Sequence, residues 1–326
     1  MKIKIYHLMF LSTLMLGTMV AISSNSWFTC WIGLEINLMS MIPLFVIKLK
    51  PSSSETAIKY FLIQAMASLI LMFSSIMMNL MENMNILLSM NYILILTIAI
   101  KVGVPPFHFW FIQIIEMTEW MQCSILMTWQ KVAPLFLMFY SSNYLSSVIL
   151  VMASSIGSLG GYNQNSIKKI LAYSSIMNLA WMLASMMISF YTFMTYFLFY
   201  SMIIIMIITS LFLMNTKTLE MYANKIEMNK TILFLNFMSL GGLPPFIGFF
   251  IKMNIIKNLS LMSISITMII MLIFASLITL WFYLKLLYSS ILTMNLSYYN
   301  LKINIKNLLL ASGLVNLLPS VMIIIY

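Results

Sequence analysis

The sequence predicts an all-α polytopic membrane protein: about eleven transmembrane helices, arranged as two inverted five-helix repeats, each with one broken helix, and a C-terminal helix. Composition is the first reason. The 326 residues are 62% hydrophobic and 7% charged, with a mean hydropathy of +1.02, and so few charges cannot cover a soluble domain. Second, the lysines fall between long apolar runs. Third, a Gly-x-Pro-Pro-Phe motif occurs twice, at Gly103–Phe107 and Gly242–Phe246, each time inside such a run.

A bilayer crossing takes roughly 20 apolar residues. The first span, 5–22, follows an N-terminus with neither the Arg-rich amphipathic character of a transit peptide nor a small-residue cleavage site, so it reads as retained. Span 27–47 carries Glu35 at its middle, and 59–81 follows it. Span 86–117 is broken at its glycine and prolines, and 121–141 carries Lys131. After 144–161, the run from 170 to 214 has no charge but is too long for one crossing. Ser189–Thr192 (SFYT) supplies a turn, giving spans 168–189 and 192–214. The second broken span is 231–257, followed by 260–288 and 307–325. The domain reading is a first repeat over 1–143, a second over 144–288, and a loop with the last helix over 289–326.

Charge fixes the orientation. With the N-terminus on one side, that side collects Lys2, Lys4, Lys48, Lys50, Lys59, Lys168, Lys169, Lys217, Lys225, Lys230, Lys302 and Lys306; the other has little beyond Lys257 and Glu82. The positive-inside rule then puts the N-terminus on the matrix or cytoplasmic side, and an odd span count puts the C-terminus opposite. The net charge of +10 comes with no basic-aromatic patch, so it is a topology signal and implies no nucleic acid. All the basic residues are lysine, aspartate is absent, and methionine reaches 35. That bias resembles an AT-rich organellar genome. Cys30 and Cys123 have no metal-ligand spacing and imply no disulfide framework.

The repeated motif breaks the fourth span of each five-span unit. Five is odd, so the second unit must be inserted upside down relative to the first, as in many ion transporters. Pro105 and Pro106 lack the N–H groups for the carbonyls of Lys101 and Val102, and Pro244 and Pro245 do the same to Leu240 and Gly241. Carbonyls freed at that depth must be satisfied by protein or by a water-filled cavity.

Four stretches, "KVGVPPFHFWF" (Lys101–Phe111), "MTWQKVAPL" (Met127–Leu135), "KKILAYSSI" (Lys168–Ile176) and "SLGGLPPFIGFFIK" (Ser239–Lys252), occur in that order. Together they resemble the chain 2 family of NADH-ubiquinone oxidoreductase, antiporter-like membrane subunits of mitochondrial complex I. Bacterial members carry three additional N-terminal helices, and eleven spans match the shortened animal form. The resemblance implies a proton-translocating module whose carriers are Glu35, Lys101, Lys131 and Lys252. It also implies that NADH, FMN, iron–sulfur clusters and ubiquinone are held by partner subunits, with other complex I membrane subunits, neighbouring antiporter-like subunits and lipids as contacts. The setting is the inner mitochondrial membrane. Where many relatives have a histidine after "AYSSI", this chain has Asn178, which cannot titrate. A relay there would need water, Tyr173 or Ser174.

The residues argue in the same direction. A charge near the bilayer centre costs about 2.5–3.5 kcal/mol on insertion scales, yet Glu35 and Lys131 lie mid-span. The plain alternative is an ion pair that pins two helices. Lys101 ends the first half-helix, where the dipole favours a cation or where it could simply cap freed carbonyls. Lys252 lies about two turns past its break and could instead snorkel toward the interface. His108 opens the second half-helix, where a neutral imidazole could pass a proton or merely fill hydrogen bonds. Glu116 and Glu119 read as interfacial acids, and Lys168 and Lys169 as topology anchors. No Cys cluster, haem signature or GxGxxG motif is present, so the driving force is expected from partners. Two other readings are a free-standing cation/proton antiporter and a structural scaffold. Sodium selectivity would favour several acidic oxygen ligands, whereas Glu35 is the one mid-membrane carboxylate. A scaffold has little reason to repeat a double-proline break.

Impermeant lysine labelling from the matrix side should reach the N-terminus and loop 215–230, while a tag placed after Tyr326 should be reached from the opposite side. A tag labelled from the matrix would make the span count even.

Overall fold

The computed structural model describes residues 5–47, 50–80, 84–141, 144–214, 227–262 and 265–291. Every regular element among them is a helix: α1 (Ile5–Ser23), α2 (Trp27–Phe45), α3 (Pro51–Leu80), α4 (Met84–Val102), α5 (Phe109–Met117), α6 (Trp120–Met127), α7 (Trp129–Tyr140), α8 (Tyr144–Gly161), α9 (Ile167–Met186), α10 (Phe190–Met214), α11 (Glu227–Gly241), α12 (Ile247–Leu261) and α13 (Ile266–Ile291). Stretches of α1, α2, α3, α10 and α13 are long and apolar enough to cross a bilayer. The expected span 307–325 and residues 215–226 of the expected loop 215–230 lie outside the described residues, while 227–230 are already helical.

Polarity runs opposite to that of a soluble protein. Leu8, Leu16, Leu62, Leu69, Phe73 and Phe274 are exposed, whereas Asn37, Gln64, Lys101, Lys131, Asn178 and Lys252 are buried. This is the arrangement demanded by an apolar solvent, which forces polar groups to face other protein.

Element boundaries follow local chemistry. The third helix begins at Pro51, earlier than the expected residue 59, because proline suits the first helical turn and Ser53 Oγ accepts from Lys50 N–H at 3.2 Å. Lys59 therefore sits on the helix, 2.6 Å from Glu55 one turn back. Between α9 and α10 the chain turns as expected, with Ser189 Oγ accepting from Thr192 N–H at 3.3 Å. The fifth span, expected to be continuous over 121–141, is interrupted at Thr128. Both Thr128 donors go to one carbonyl: its N–H and its Oγ1 reach Ser124 O at 3.1 and 2.6 Å. Pro134 then withholds the donor that would bond the Gln130 carbonyl.

The chain divides into two compact units, residues 1–149 and 150–326. In the first, α1 and α2 meet backbone to backbone, and a Cβ on Gly33 would lie 2.5 Å from the Ala21 nitrogen. Small residues allow this approach, as membrane helix pairs require. α3 packs on α2, α4 and α5, and α4 packs on α7. In the second unit α9 is buried on nearly every face, from Ile167 to Met186. It packs against α10, α12 and α13.

Both expected breaks are present, at 103–108 and 242–246. In the second, α12 returns so close to α11 that a Cβ on Gly248 would fall 1.8 Å from Ser239 O, while one on Gly241 would meet ordinary contacts at 3.6 Å. Gly248→Ala should therefore reduce the protease-resistant, membrane-inserted protein severalfold, and Gly241→Ala should leave it unchanged or raise it. Equal yields from the two variants would show that the close approach is not needed.

Candidate functional site

The two breaks are built by the same backbone device. Gly103 and Gly242 adopt φ of 77° and 84°, a left-handed conformation that only glycine reaches at low cost. At the first break Gly103 N–H bonds Ile100 O and Val104 N–H bonds Ala99 O, both at 3.1 Å; at the second, Gly242 N–H bonds Ser239 O and Leu243 N–H bonds Met238 O, both at 3.2 Å. This paired pattern closes a helix C-terminus. The two prolines then lie in a turn closed by Phe107 N–H to Val104 O (2.9 Å) and by Phe246 N–H to Leu243 O (3.0 Å).

Side chains also donate to carbonyls near each break, and they differ between the two. At the first, Trp110 Nε1 donates to Ile100 O at 3.1 Å and Gln64 Nε2 donates to Lys101 O at 3.2 Å. At the second, Lys252 Nζ takes both, donating to Leu240 O at 2.9 Å and Gly241 O at 3.2 Å. Leu240 and Lys101 each lie two residues before their motif glycine, so one carbonyl position is served by a neutral amide in one unit and by an ammonium in the other. Lys252 is thus folded back on its break and does not snorkel.

Lys101 and Lys131 share a buried cavity in the first unit, lined also by Asn37, Tyr60, Gln64, Trp110 and Gln130. Lys101 is 6% exposed and Lys131 2%. The space open to water centres is about 20 Å³, room for roughly one water. No carboxylate lines it. Its wall is a chain of neutral dipoles: Tyr60 hydroxyl donates to Gln130 Oε1 at 3.2 Å, and Gln130 Nε2 donates to Asn37 Oδ1 at 3.0 Å. The Lys131 ammonium lies 5.1 Å from the centre of the Phe111 ring, within cation–π range.

Glu35 and His108 lie elsewhere. Glu35 is only half-buried, and its side chain helps line a groove between α1 and α2 beside Tyr6, Phe10 and Trp31. Glu35 reaches Lys101 only through space. His108 is buried, immediately precedes α5 and packs its ring on Phe109 at 4.3 Å, but it does not line the lysine cavity.

In the second unit, Lys252 shares a cavity of about 20 Å³ with Asn178, Tyr196, Tyr200 and Ser239. Asn178 Nδ2 donates to Ser174 O at 2.9 Å, and its Oδ1 accepts from the Tyr196 hydroxyl at 2.8 Å. The Lys252 ammonium lies 5.8 Å from the Trp181 ring. Tyr173 and Ser174, named as possible relays past Asn178, have these surroundings. Ser174 Oγ is bonded to Leu171 O at 2.8 Å, and the Tyr173 ring fills the space above Gly160. Lys168, expected as a topology anchor, is 6% exposed, because α9 is enclosed from its first turn.

Sequence reasoning missed Asn37, Tyr60, Gln64, Trp110, Gln130 and Tyr196. The amides carried a signal, since a glutamine or asparagine inside an apolar run needs a partner. The aromatics carried none, because indole and phenol are ordinary filling in such a chain.

Comparison with known proteins gives a consistent result. Residues 24–279 match the family described as NADH:quinone oxidoreductase/Mrp antiporter, transmembrane. NADH-ubiquinone oxidoreductase chain 2 of Anopheles gambiae is 47% identical over 300 residues, covering 88% of this chain and 86% of the relative. The chain 2 protein of Locusta migratoria is 38% identical over 299 residues, covering 88% and 86%. The fold recurs in a chain of respiratory complex I from Thermus thermophilus, with a TM-score of 0.82 and 17% identity over 96% of this chain and 77% of that one. It recurs also in the Mrp complex of a Dietzia species, with a TM-score of 0.77 and 16% identity over 88% and 60%.

The unequal breaks make a direct test. Lys252→Met removes the donor from two buried carbonyls and should destabilise by about 1–3 kcal/mol for each. Lys101→Met leaves the first break's carbonyls bonded to Gln64 and Trp110 and should destabilise less. Thermal unfolding in detergent reads the difference, and equal losses would contradict the capping role of Lys252.

Proposed function

The chain belongs to the NADH:quinone oxidoreductase/Mrp antiporter transmembrane family, and on that footing we propose that it is a membrane subunit of the proton-pumping NADH:ubiquinone oxidoreductase of the inner mitochondrial membrane. The identity to chain 2 proteins over most of both lengths supports this assignment. It favours complex I over a free-standing antiporter, with which the chain shares the broader family and the fold. NADH oxidation, electron transfer and ubiquinone reduction take place on partner subunits, which carry FMN and the iron–sulfur clusters. This chain supplies a proton route.

One observation supports the route above all: two lysines share one buried cavity that no carboxylate lines. Like charges in a buried cavity repel, so a proton on Lys101 opposes a proton on Lys131. A single shared proton is the stable load, and one water between the ammonium and the amine is enough to move it. Glu35 biases the sharing from outside the cavity, through Lys101. A field change imposed by partner subunits shifts the proton from one lysine to the other, and Lys252 is the corresponding carrier of the second repeat.

The architecture that goes with this reading has eleven spans, with repeats over 1–143 and 144–288 inserted in opposite senses and the N-terminus in the matrix. The matching closures at Gly103 and Gly242 support the repeat relation, and the lysine distribution supports the orientation.

Substitution at Lys131 tests the carrier role. Lys131→Arg keeps a cation that does not deprotonate in proteins, and Lys131→Met keeps length without charge. A proton carrier fails with either, so protons pumped per NADH in sealed membrane vesicles, normalised to assembled enzyme, should fall in both variants. A structural cation would tolerate arginine, so full pumping by Lys131→Arg would remove Lys131 from the route. The same comparison applies at Lys252, where arginine retains donors for the Leu240 and Gly241 carbonyls.

A further inference from the structure

The cavity beside Lys252 is lined by hydroxyl-bearing residues that the proposed route does not use, and Tyr196 is the one bonded to Asn178. Besides apolar groups, its wall presents Asn178, Tyr196, Tyr200 and Ser239. The Ser239 hydroxyl is committed to Asn236 O at 2.7 Å. The Asn178 amide neither gains nor loses a proton in the working range. Its position is nonetheless fixed, because its Nδ2 holds Ser174 O at 2.9 Å and so turns its Oδ1 toward the cavity wall, where it accepts from the Tyr196 hydroxyl at 2.8 Å. Tyr196 is 5% exposed. A buried phenol held by one fixed acceptor, at the edge of a space of about 20 Å³ that Lys252 also borders, has the donor and acceptor needed to pass a proton.

We infer that Tyr196 is the proton-relay residue serving Lys252, and that Asn178 is the residue that positions it. The inference rests on the reading of Lys252 as a carrier. In the transfer, the Tyr196 hydroxyl turns from Asn178 to the cavity, and a hydronium ion on the supply side gives its extra proton to the Tyr196 oxygen and leaves as water. The O–H bond already there breaks, and its proton passes through water in the cavity to the unprotonated Lys252 amine. One O–H bond forms as one breaks and an N–H bond is made at Lys252, so the phenol is neutral before and after and nothing is oxidised or reduced. Rotation about the Tyr196 C–O bond then returns the hydroxyl to Asn178 Oδ1, which resets the relay. The reverse sequence unloads Lys252 by the same path.

Three variants in the assembled enzyme, read as protons per NADH in sealed vesicles and normalised to assembled complex, test this. Tyr196→Phe removes the hydroxyl and keeps the ring, and pumping should fall at least twofold. Tyr196→Phe combined with Asn178→His should recover most of the loss, because an imidazole accepts at one nitrogen and releases from the other. Rescue separates relay from packing, since a phenol that only filled space would gain nothing from a histidine next to it. Asn178→His alone should introduce an inflection near about pH 6.5 in the pumping profile, the ordinary imidazole range. That readout does not depend on the assembly of the phenylalanine variant. Wild-type pumping by Tyr196→Phe, no recovery in the double variant, or an unchanged pH profile in Asn178→His would each overturn the relay. Lys252→Arg distinguishes the levels: if it pumps fully, the carrier reading falls and the relay with it. If it fails while Tyr196→Phe pumps normally, only the relay is lost.

Discussion

A carbonyl group that loses its helical donor inside hydrocarbon has no water to turn to, and leaving it bare costs several kcal/mol. The Pro-Pro pairs at 105–106 and 244–245 create that problem at two points of the chain, and much of the interior is organised around solving it. Gly103 and Gly242 close the first half-helices on their own N–H groups. Of the carbonyls these closures leave, Lys101 O is taken by Gln64 from α3, and Leu240 O and Gly241 O by Lys252 from α12, while Trp110 from α5 adds a second donor to Ile100 O. Each donor must be buried to reach its carbonyl. The polar interior of the protein is in large part the set of groups recruited for this purpose.

That requirement explains why the sites carry amides and phenols as well as charges. A cavity holding two lysines gains from a wall of neutral dipoles that can reorient. The sequence Tyr60 to Gln130 to Asn37 supplies one, with each member hydrogen-bonded to the next. In the second unit Ser174, Asn178 and Tyr196 make a similar series. Carboxylates would have bound the ammonium groups more firmly, and a firmly paired ammonium releases its proton poorly.

The large features were legible because they rest on strong local rules. Double prolines after a glycine end a helix wherever they occur, so both breaks could be placed to within a residue or two. A lysine inside an apolar run must be buried or must snorkel, and the buried choice is correct for Lys101, Lys131 and Lys252. The interruption at Thr128 was hidden because threonine is an unremarkable helix residue until its hydroxyl and its N–H take the same carbonyl. The outward turn of Glu35 depends on how α1 and α2 cross at Gly17 and Gly33, which no single-helix pattern reveals. Lys168 read as a topology anchor from its place after a polar loop, and its burial follows from the packing around α9, which the sequence does not display. Partners distant in sequence, such as Gln64 and Lys101, were beyond the reach of any local pattern.

The ammonium of Lys252 both holds a proton and holds the ends of a broken helix together. A charged donor binds carbonyls about twice as strongly as a neutral one, so when Lys252 gives up its proton the grip on Leu240 and Gly241 relaxes. Linkage makes the relation reciprocal: a force that pries the two carbonyls away from Lys252 also makes its proton easier to remove. Proton occupancy and backbone shape at this point are therefore one variable. On the proposed reading of Lys252 as a carrier, a movement that separates those carbonyls from it would favour release of its proton, and reloading the proton would favour the closed backbone.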